Sequence, residues 1–344
     1  MNAKKINRKA VREKPCFIIA EAGVNHNGSL DLAKKLVDVA KEAGADAVKF
    51  QTFKAEDLAT KKSKLAEYQK KNKKGNQLDM LKGLELKDSN FRELKIYCTS
   101  KKIIFLSSPH TEDAINFLDP LLTIYKIGSG DLNNPRFLEK VTKKKKPIIL
   151  STGMSDLSEV EEAVKAIKKA GNQKISLLHC TTSYPCDFKD VNLRAMITLK
   201  NKFGLPVGYS DHTLGTEVAV AAVALGAEIV EKHITLDKKM SGPDQMASLD
   251  LKEFKRMVEE IRSVEKSFGD GIKKPTKAEA VIKKIVRKSI VAKKSILKGE
   301  IIVKDMLAIK RPGTGIEPKY FGDVVGKRAK KNINADELIF WRDL

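Results

Sequence analysis

The segment PVGYSDHTLGTEVAVAAVALGAEIVEKH, residues 206–233, contains the pattern that decides the fold. It begins with a short apolar run that ends in polar residues. It continues through a helical stretch over Gly215–Leu225 and returns to a second apolar run at Ile229–Val230. Short, continuous apolar runs are typical of parallel strands that are covered on both faces. The segment therefore predicts a strand–helix–strand unit in which the two strands run parallel.

The same unit recurs along most of the chain. The predicted strands are Phe17–Ala20, Ala47–Phe50, Ile103–Leu106, Ile124–Ile127, Ile148–Leu150, Ile175–Leu178, Pro206–Gly208 and Ile229–Val230. Eight β/α repeats over about 250 residues fit a closed (β/α)₈ TIM barrel better than an open sheet. The alternative, an open doubly wound sheet, lacks support because the glycine-rich segments do not have the full dinucleotide-binding spacing.

The character of the sequence changes after Gly271. Residues 272–287 are rich in lysine and predict a linker with some helix. Residues 288–344 contain short apolar runs without long helices between them. The strands predicted there are Ser289–Ala292, Ile301–Val303, Leu307–Lys310 and Glu337–Trp341. We therefore expect a barrel over residues 1–271, a linker over 272–287 and a small β-rich domain over 288–344.

Composition limits the classes of function. The 344 residues include 66 Lys+Arg against 44 Asp+Glu, a net charge of +22. A field of this sign favours anionic partners such as phosphorylated substrates. The lysines are scattered and no aromatic residues interleave them, so nucleic-acid binding is not expected. No apolar run reaches the roughly eighteen residues of a membrane span, and residues 1–15 lack the apolar region of a secretory signal. We expect a cytoplasmic protein without a membrane partner.

Polar side chains follow every predicted strand. In a (β/α)₈ barrel the C-terminal ends of the strands meet at one mouth, where enzymes with this fold place their active sites. We therefore expect these side chains to converge. The positions that carry chemistry are Glu21, Lys49, Gln51, Ser108, Lys126, Ser129, Asp131, Ser151, Thr182, Tyr184, Ser210, His212, Glu231 and His233.

Two lysines are predicted to point into the barrel. Lys49 shares one strand face with Gln51, while the neighbouring apolar residues share the other face, which should meet the helices. The same alternation turns Lys126 inward. A lysine inside a barrel must meet an anion or lose its charge. Two alternatives stay open: a phosphate or carboxylate ligand, or an internal salt bridge to Glu21 or Glu231.

Two histidines end neighbouring predicted strands. The imidazoles of His212 and His233 could therefore reach one metal ion. Glu231 lies two residues before His233 and faces the same way. Two imidazoles, a nearby carboxylate and water suit Mn²⁺ or another octahedral divalent ion with open positions. The alternative is that each histidine is a hydrogen-bonded structural residue. His110 and His179 lack such neighbours and are expected to be structural or rim residues.

A series of ordered motifs resembles those of the sialic acid synthase family. The motifs are IIAEAGVNHNGS (18–29), VKFQT (48–52), YKIGSGDLNN (125–134), ILSTGM (149–154), LHCTTSYP (178–185), VGYSDHTLG (207–215), EKHITLD (231–237), SGPDQMASL (241–249) and KRPGTG (310–315). The resemblance implies a barrel followed by a small antifreeze-like (SAF) domain. It also implies a domain-swapped homodimer in which the small domain caps the partner's barrel.

The resemblance implies a reaction as well. Phosphoenolpyruvate would condense with N-acetylmannosamine, or a related acylated amino sugar, and water. The products would be N-acetylneuraminate, or a related nonulosonic acid, and phosphate, which leaves by C–O cleavage. The rival within the same fold is a Schiff-base aldolase with Lys126 as nucleophile, which would use pyruvate and need no metal.

Residue roles follow from the same resemblance. His212 and His233 match metal ligands, with Mn²⁺ the expected ion and Mg²⁺ or Co²⁺ as alternatives. The positions that match phosphoenolpyruvate contacts are Lys49, Gln51, Ser108, Lys126, Ser129, Ser151 and Ser210. The positions near the sugar or the reacting carbons are Glu21, Asn76, Asp131, Thr182, Tyr184, Asp244 and Arg311. Arg311 would come from the other subunit. Glu21, or else Glu231, is expected to handle the proton of the attacking water.

The sequence departs from the family pattern at positions that concern the sugar. Asp131 stands where many members have Glu, and Thr182 replaces an Asn of some members. Residues 68–86 resemble the members that make legionaminic acid from a diacetamido trideoxy sugar. The alternative function is therefore N,N'-diacetyllegionaminate synthase, which uses 2,4-diacetamido-2,4,6-trideoxymannose.

Overall fold

The computed structural model describes residues 15–65 and 76–344. The chain forms two compact units, with the boundary between Asp270 and Gly271. The basic N-terminal residues 1–14 and residues 68–75 of the segment that resembles legionaminic acid synthases lie outside the described residues. Across the described ranges, no helix combines the length and the apolar character that a membrane span requires.

Eight parallel strands form the sheet of the first unit. They are β1 (Phe17–Gly23), β2 (Ala47–Thr52), β3 (Ile104–Pro109), β4 (Tyr125–Ile127), β5 (Ile148–Ser151), β6 (Ile175–Cys180), β7 (Val207–Asp211) and β8 (Ile229–His233). The hydrogen-bonded order is β3-β2-β1-β8-β7-β6-β5-β4, and β3 also lies beside β4, so the sheet curls into a nearly closed barrel. The predicted (β/α)₈ barrel is confirmed.

Every strand except β4 continues past the predicted apolar run, by one to three residues. The added residues are mostly polar, which is why the apolar pattern misses them. Parallel pairing continues through them, as in the register of Ser210 with Glu231 and of Asp211 with Lys232. The residues that carry chemistry therefore lie on the strand ends, where the ladder fixes their direction.

Helices surround the sheet. Those of the first unit are α1 (Leu30–Glu42), α2 (Ala55–Leu58), α3 (Gln77–Lys82), α4 (Asp88–Ser100), α5 (Glu112–Leu118), α6 (Pro135–Thr142), α7 (Leu157–Lys169), α8 (Arg194–Phe203), α9 (Glu217–Ala224) and α10 (Leu251–Ser267). The start of α7 shows why they begin where they do. Asp156 accepts a hydrogen bond from the Glu159 N–H at 2.9 Å, and Glu159 accepts one from the Asp156 N–H at 2.9 Å. This capping box satisfies backbone donors that the first helical turn leaves unpaired.

Alternation along the strands separates two apolar layers. The side chains that point outward from the barrel pack against the helices, as those of Val48 and Phe50 do. The side chains that point inward fill the inside of the barrel, and they belong to Ile19, Ala47, Leu106, Ile149, Leu178 and Ile229. Two residues farther along the strands, the inward-pointing side chains are polar, as at Glu21 and Lys49. The inner apolar layer is thus the floor on which a polar mouth is built.

Gly208 marks a tight point in this floor. A Cβ there would lie 2.3 Å from the carbonyl oxygen of Ile229 and 2.7 Å from Cδ2 of Leu178. Gly208→Ala should therefore push β7 and β8 apart and lower the free energy of unfolding by about 1–3 kcal/mol, the usual cost of overpacking. Urea unfolding measures this change. At Gly130 an added Cβ meets no atom within 4 Å, so Gly130→Ala is the control; equal stability of the two variants would contradict the prediction.

The second unit contains α11 (Lys277–Val286), β9 (Ser289–Ala292), β10 (Leu307–Lys310) and α12 (Phe321–Val324). β9 and β10 pair in antiparallel fashion, which confirms two of the predicted strands. Ile290, Ala292, Ile296, Ile302, Met306, Leu307, Ile316, Val324, Ala329, Ile333 and Ile339 form its core.

The predicted strands Ile301–Val303 and Glu337–Trp341 are wrong. Each contributes only an isolated bridge, from Ile301 to Arg328 and from Leu338 to Val291. The reason lies in the hydrogen-bond partners of the backbone. The Ile302 N–H donates to the carbonyl of Lys327, which follows the turn at residues 325–326 and lies outside any strand. Alternation of apolar residues shows that a segment is half buried, but it does not show that a neighbouring strand runs beside it.

Candidate active site

A cavity of about 170 Å³ lies at the C-terminal ends of the barrel strands. All eight strands, or the loops that follow them, contribute to its walls. The lining residues are Glu21, Lys49, Gln51, Ser108, His110, Lys126, Gly128, Ser129, Gly130, Ser151, Met154, Cys180, Thr182, Tyr184, Ser210, His212, Glu231 and His233. This is the mouth at which the polar strand ends were expected to converge, and most of the predicted site residues line it.

Four predicted site residues do not line this cavity. Asp131 and Asp244 lie close behind its wall: an Asp131 oxygen is 3.4 Å from Nδ1 of His110, and an Asp244 oxygen is 4.0 Å from Nδ1 of His233. Burial, reinforced by the charge of Glu21, raises the pKa of Asp244 to about 6.

The other two residues have different surroundings. Asn76 is the N-cap of α3, where its side chain accepts a hydrogen bond from the Asp79 N–H at 2.9 Å. The cap occupies the amide oxygen, and the expected sugar contact of Asn76 stays a prediction. Arg311 belongs to the second unit, where it lines a cavity together with Asp336 and Phe340.

Four buried charges occupy the depth of the cavity. The Lys49 ammonium lies 3.1 Å from Glu21 and 3.5 Å from Glu231. The Lys126 ammonium lies 3.3 Å from Glu231. All four side chains are almost fully buried. The internal salt bridges that the sequence left open as an alternative therefore exist, and they give this charge quartet a formal sum of zero.

The two glutamates of the quartet differ in proton affinity. Burial opposes the charged form of Glu231, but the ammonium groups of Lys126 and Lys49 outweigh it and hold the pKa at about 2. Burial raises the pKa of Glu21, since Lys49 does not fully compensate for it and Glu231 adds repulsion. Glu21 also accepts a hydrogen bond from Gln51 at 3.1 Å. Glu21 is thus the carboxyl of the quartet that takes up a proton more readily.

His212 and His233 stand side by side, with ring centroids 5.4 Å apart. Nδ1 of His212 donates to the Thr181 carbonyl at 2.8 Å. While the ring is neutral, this hydrogen bond keeps the proton on Nδ1 and leaves the lone pair of Nε2 free, as a metal ligand requires. Burial, with the nearby charges of His212 and Lys49, lowers the pKa of His233 well below its usual value. Nδ1 of His233 is buried and finds no hydrogen-bond partner among the described residues.

This histidine pair fits a divalent ion that keeps several open positions. Within residues 15–65 and 76–344, no set of three or more histidine, cysteine or carboxylate side chains is arranged to hold a metal. Glu231, which the sequence placed near the pair, is drawn instead to the two lysines. Two nitrogen ligands leave the other coordination positions to substrate oxygens and water, which suits Mn²⁺ or Mg²⁺ more than a structural zinc ion.

Sequence reasoning overlooked Cys180. Its sulfur lies 3.8 Å from Nδ1 of His212. Strand alternation could have identified it, since Cys180 follows the inward-facing Leu178 by two residues. His110 is the rim residue that was expected, because it lines the cavity. His179 is structural, and its Nε2 is 2.7 Å from the Val191 carbonyl.

Comparison with known proteins gives consistent results over most of the chain. The model of the NeuB family matches residues 36–273, and that of the SAF domain matches residues 287–344. The N,N'-diacetyllegionaminic acid synthase of Campylobacter jejuni is 50% identical over 95% of this chain and 99% of its own length. The Legionella pneumophila protein of the same name is 47% identical over 98% and 99%.

A solved structure agrees with these sequence matches. The N-acetylneuraminic acid synthetase of Leptospira borgpetersenii, crystallised with citrate, superposes with a TM-score of 0.70 at 37% identity. The superposition covers 78% of this chain and 90% of that one.

Proposed function

Because the chain belongs to the NeuB family and is a nonulosonic acid synthase, we propose that it is an N,N'-diacetyllegionaminate synthase. In this proposal phosphoenolpyruvate condenses with 2,4-diacetamido-2,4,6-trideoxymannose and water, and phosphate leaves by C–O cleavage. The observation that carries the choice of sugar is the 50% and 47% identity to two proteins with that name, each matched over 99% of its length.

The lysines are proposed to hold the donor. Phosphoenolpyruvate carries a carboxylate and a phosphate, and Lys49 and Lys126 are two almost fully buried ammonium groups that line the cavity. Hydroxyl groups around them can donate further hydrogen bonds. They belong to Ser108, Ser129, Ser151 and Ser210. Ser151 supports this role, because its buried oxygen has no hydrogen-bond partner within the described part of the chain and a ligand would supply one.

The proton of the attacking water is assigned to Glu21. A general base must be able to accept a proton near neutral pH. Two lysines keep Glu231 ionised, with a pKa of about 2, whereas burial raises the pKa of Glu21. Glu231 then has the different task of orienting both lysines. The order of preference between the two carboxylates thus rests on their charged neighbours.

His212 and His233 are proposed to hold the divalent ion, Mn²⁺ by preference. Such an ion, when bound, would act as a Lewis acid on the aldehyde of the open-chain sugar. The chain itself orients that sugar beside the histidines. Tyr184 packs on both rings, with centroid distances of 4.1 and 5.5 Å, and Asp244 lies just behind His233.

A homodimer that shares its sites belongs to the same proposal. In it, Arg311 of one subunit would complete the cavity of the other. The surface of α11 supports an association between chains. This helix has no buried residue, and the large apolar side chains Val281, Ile282 and Ile285 are more than half exposed. An apolar helix surface of this kind favours contact with another surface.

A second candidate is N-acetylneuraminate synthase, with N-acetylmannosamine as acceptor. The likeness to the Leptospira structure, at 37% identity, favours it. A sugar 6-phosphate fits less well as acceptor. Among the described lining residues, the lysine or arginine side chains are Lys49 and Lys126, both already facing glutamates and required by the donor. Within one chain's own cavity a second phosphate would thus lack a cation, which leaves the Arg311 proposed to come from the other subunit.

An acceptor panel tests the proposal. The protein is given phosphoenolpyruvate, Mn²⁺ and either 2,4-diacetamido-2,4,6-trideoxymannose, N-acetylmannosamine or N-acetylmannosamine 6-phosphate. Phosphate release should have the highest kcat/KM with the diacetamido sugar and be negligible with the 6-phosphate. Reactions without acceptor provide the control for simple hydrolysis.

The products distinguish the candidates. A higher kcat/KM with N-acetylmannosamine would assign the neuraminate activity instead, and fastest turnover with the 6-phosphate would contradict the argument from cavity charge. Phosphoenolpyruvate labelled with ¹⁸O in the bridging position checks the bond that breaks. The label should leave with phosphate; label retained in the sugar acid would exclude C–O cleavage.

A further inference from the structure

A second buried ion pair lies directly behind the histidines, outside the cavity. Asp211 and Lys232 are both fully buried, and their charged atoms are 2.6 Å apart. The alternation of side chains along β7 and β8 explains why this pair lies behind the histidines. Tyr209 and Val230, two residues earlier on each strand, face the helices, so Asp211 and Lys232 face outward as well. His212 and His233, one residue later, face the mouth.

The pair fastens the ends of two strands to one another. Asp211 and Lys232 are direct partners in the register of β7 with β8. The second oxygen of Asp211 accepts hydrogen bonds from the N–H and the hydroxyl of Thr213, at 2.9 and 2.8 Å. The Lys232 ammonium also donates to the Thr213 carbonyl at 2.6 Å.

These bonds surround His212. Its neighbours on both sides, Asp211 and Thr213, are held by one ammonium group, and that ammonium belongs to the residue before His233. A shift of either strand end would stretch bonds to a charged group that is fully buried, and such bonds are costly to leave unmade. The backbone positions of both imidazoles are therefore determined by the same polar cluster.

We propose that the Asp211–Lys232 pair is a positioning device that sets the spacing of His212 and His233 for one divalent ion. The inference rests on the metal site proposed above. Stability alone is a poor reason for the pair, because replacement of a buried ion pair by well-packed apolar residues is often neutral or stabilising. An apolar pair could hold the two strands together, but it could not bind the Thr213 carbonyl and so fix the chain on the far side of His212.

Direct measurement of Mn²⁺ binding tests the inference. Free Mn²⁺ is counted by its electron paramagnetic resonance signal for the wild type, Asp211→Asn and the double variant Asp211→Asn/Lys232→Met. Neither variant alters a group that would touch the metal, and the double variant leaves no unpaired charge. The Kd for Mn²⁺ should rise by about 10- to 100-fold, the usual effect of losing a group that orients metal ligands. The Kd for phosphoenolpyruvate, measured by calorimetry without metal, should stay unchanged.

The control is Lys200→Met, which removes a surface ion pair with Glu228 just before β8; its Mn²⁺ affinity should equal that of the wild type. Wild-type Mn²⁺ affinity in folded Asp211→Asn, or in the double variant if the single one fails to fold, would overturn the positioning role. Parallel loss of stability and of affinity for both ligands would overturn it too, since the pair would then be merely structural. A wild-type protein that binds no Mn²⁺ would refute the metal site itself, a result distinct from either of these.

Discussion

Replacement of His212 or His233 by alanine should lower kcat by about 10³-fold or more while the barrel stays folded. Lewis-acid polarisation supplies several kcal/mol of transition-state stabilisation, and each 1.36 kcal/mol corresponds to a factor of ten. The fold should survive because both rings line the cavity and neither belongs to the apolar layers. Nδ1 of His233 already lacks a hydrogen-bond partner among the described residues. Removal of this ring nitrogen therefore leaves no partner group among them unpaired.

Phosphate release across a Mn²⁺ titration measures this effect, and thermal unfolding checks the fold. His179→Gln is the matched control. His179 also lies near a strand end, but its hydrogen bond runs to the Val191 carbonyl and it does not line the cavity. The control should keep most of its turnover. Near-normal, metal-independent turnover of the alanine variants would refute the metal role of the pair.

Lys126→Met should weaken phosphoenolpyruvate binding by about 30-fold or more. Removal of this ammonium changes the formal sum of the charge quartet from zero to minus one, so the donor would meet two carboxylates and a single cation. Loss of one member of a buried charge pair at a binding site commonly costs 2–5 kcal/mol, which is about 30-fold or more. Methionine fills a similar volume, so the cavity should keep its shape.

Calorimetric titration with phosphoenolpyruvate, in the absence of metal, gives the Kd. Lys146→Met is the control, because Lys146 pairs with Asp119 away from the cavity and its side chain is only partly buried. Unchanged donor affinity in Lys126→Met would remove Lys126 from the donor site. The Schiff-base alternative predicts a different result: borohydride would trap pyruvate on the wild-type chain but not on Lys126→Met.

The sequence predicted the barrel because two kinds of regularity coincide in it. Apolar runs recur with helical segments between them, and each run is followed by polar residues that can bind a ligand or react. The alternation of side chains along each strand then predicts which way each side chain points. Lys49 and Lys126 could therefore be placed inside the barrel from the sequence. The same rule could have placed Cys180 on the cavity wall. These inferences succeed because they depend on one strand at a time.

Properties that depend on two strands were harder to predict. Glu231 was expected near the histidines, and the distances add that its carboxylate pairs with two lysines. The Asp211–Lys232 pair depends on the register of β7 with β8, which no single segment encodes. Asn76 was expected to contact the sugar, and its additional role as the N-cap of α3 depends on the helix that follows it. Two predicted strands of the second unit were wrong for the same reason, since Ile301 pairs with Arg328 through an isolated bridge and no neighbouring strand in the described chain continues the pairing.

The charge quartet has a consequence for the order in which the site fills. Before any ligand arrives, each ammonium group already has its counter-ion, and the charge quartet is electrically balanced. A donor anion therefore brings unbalanced negative charge into a cavity lined by buried charges, while a divalent cation at the histidines brings the opposite charge. Each ligand should relieve the electrostatic penalty of the other. Because such coupling is reciprocal, the donor raises the affinity for the cation by the same factor as the cation raises the affinity for the donor.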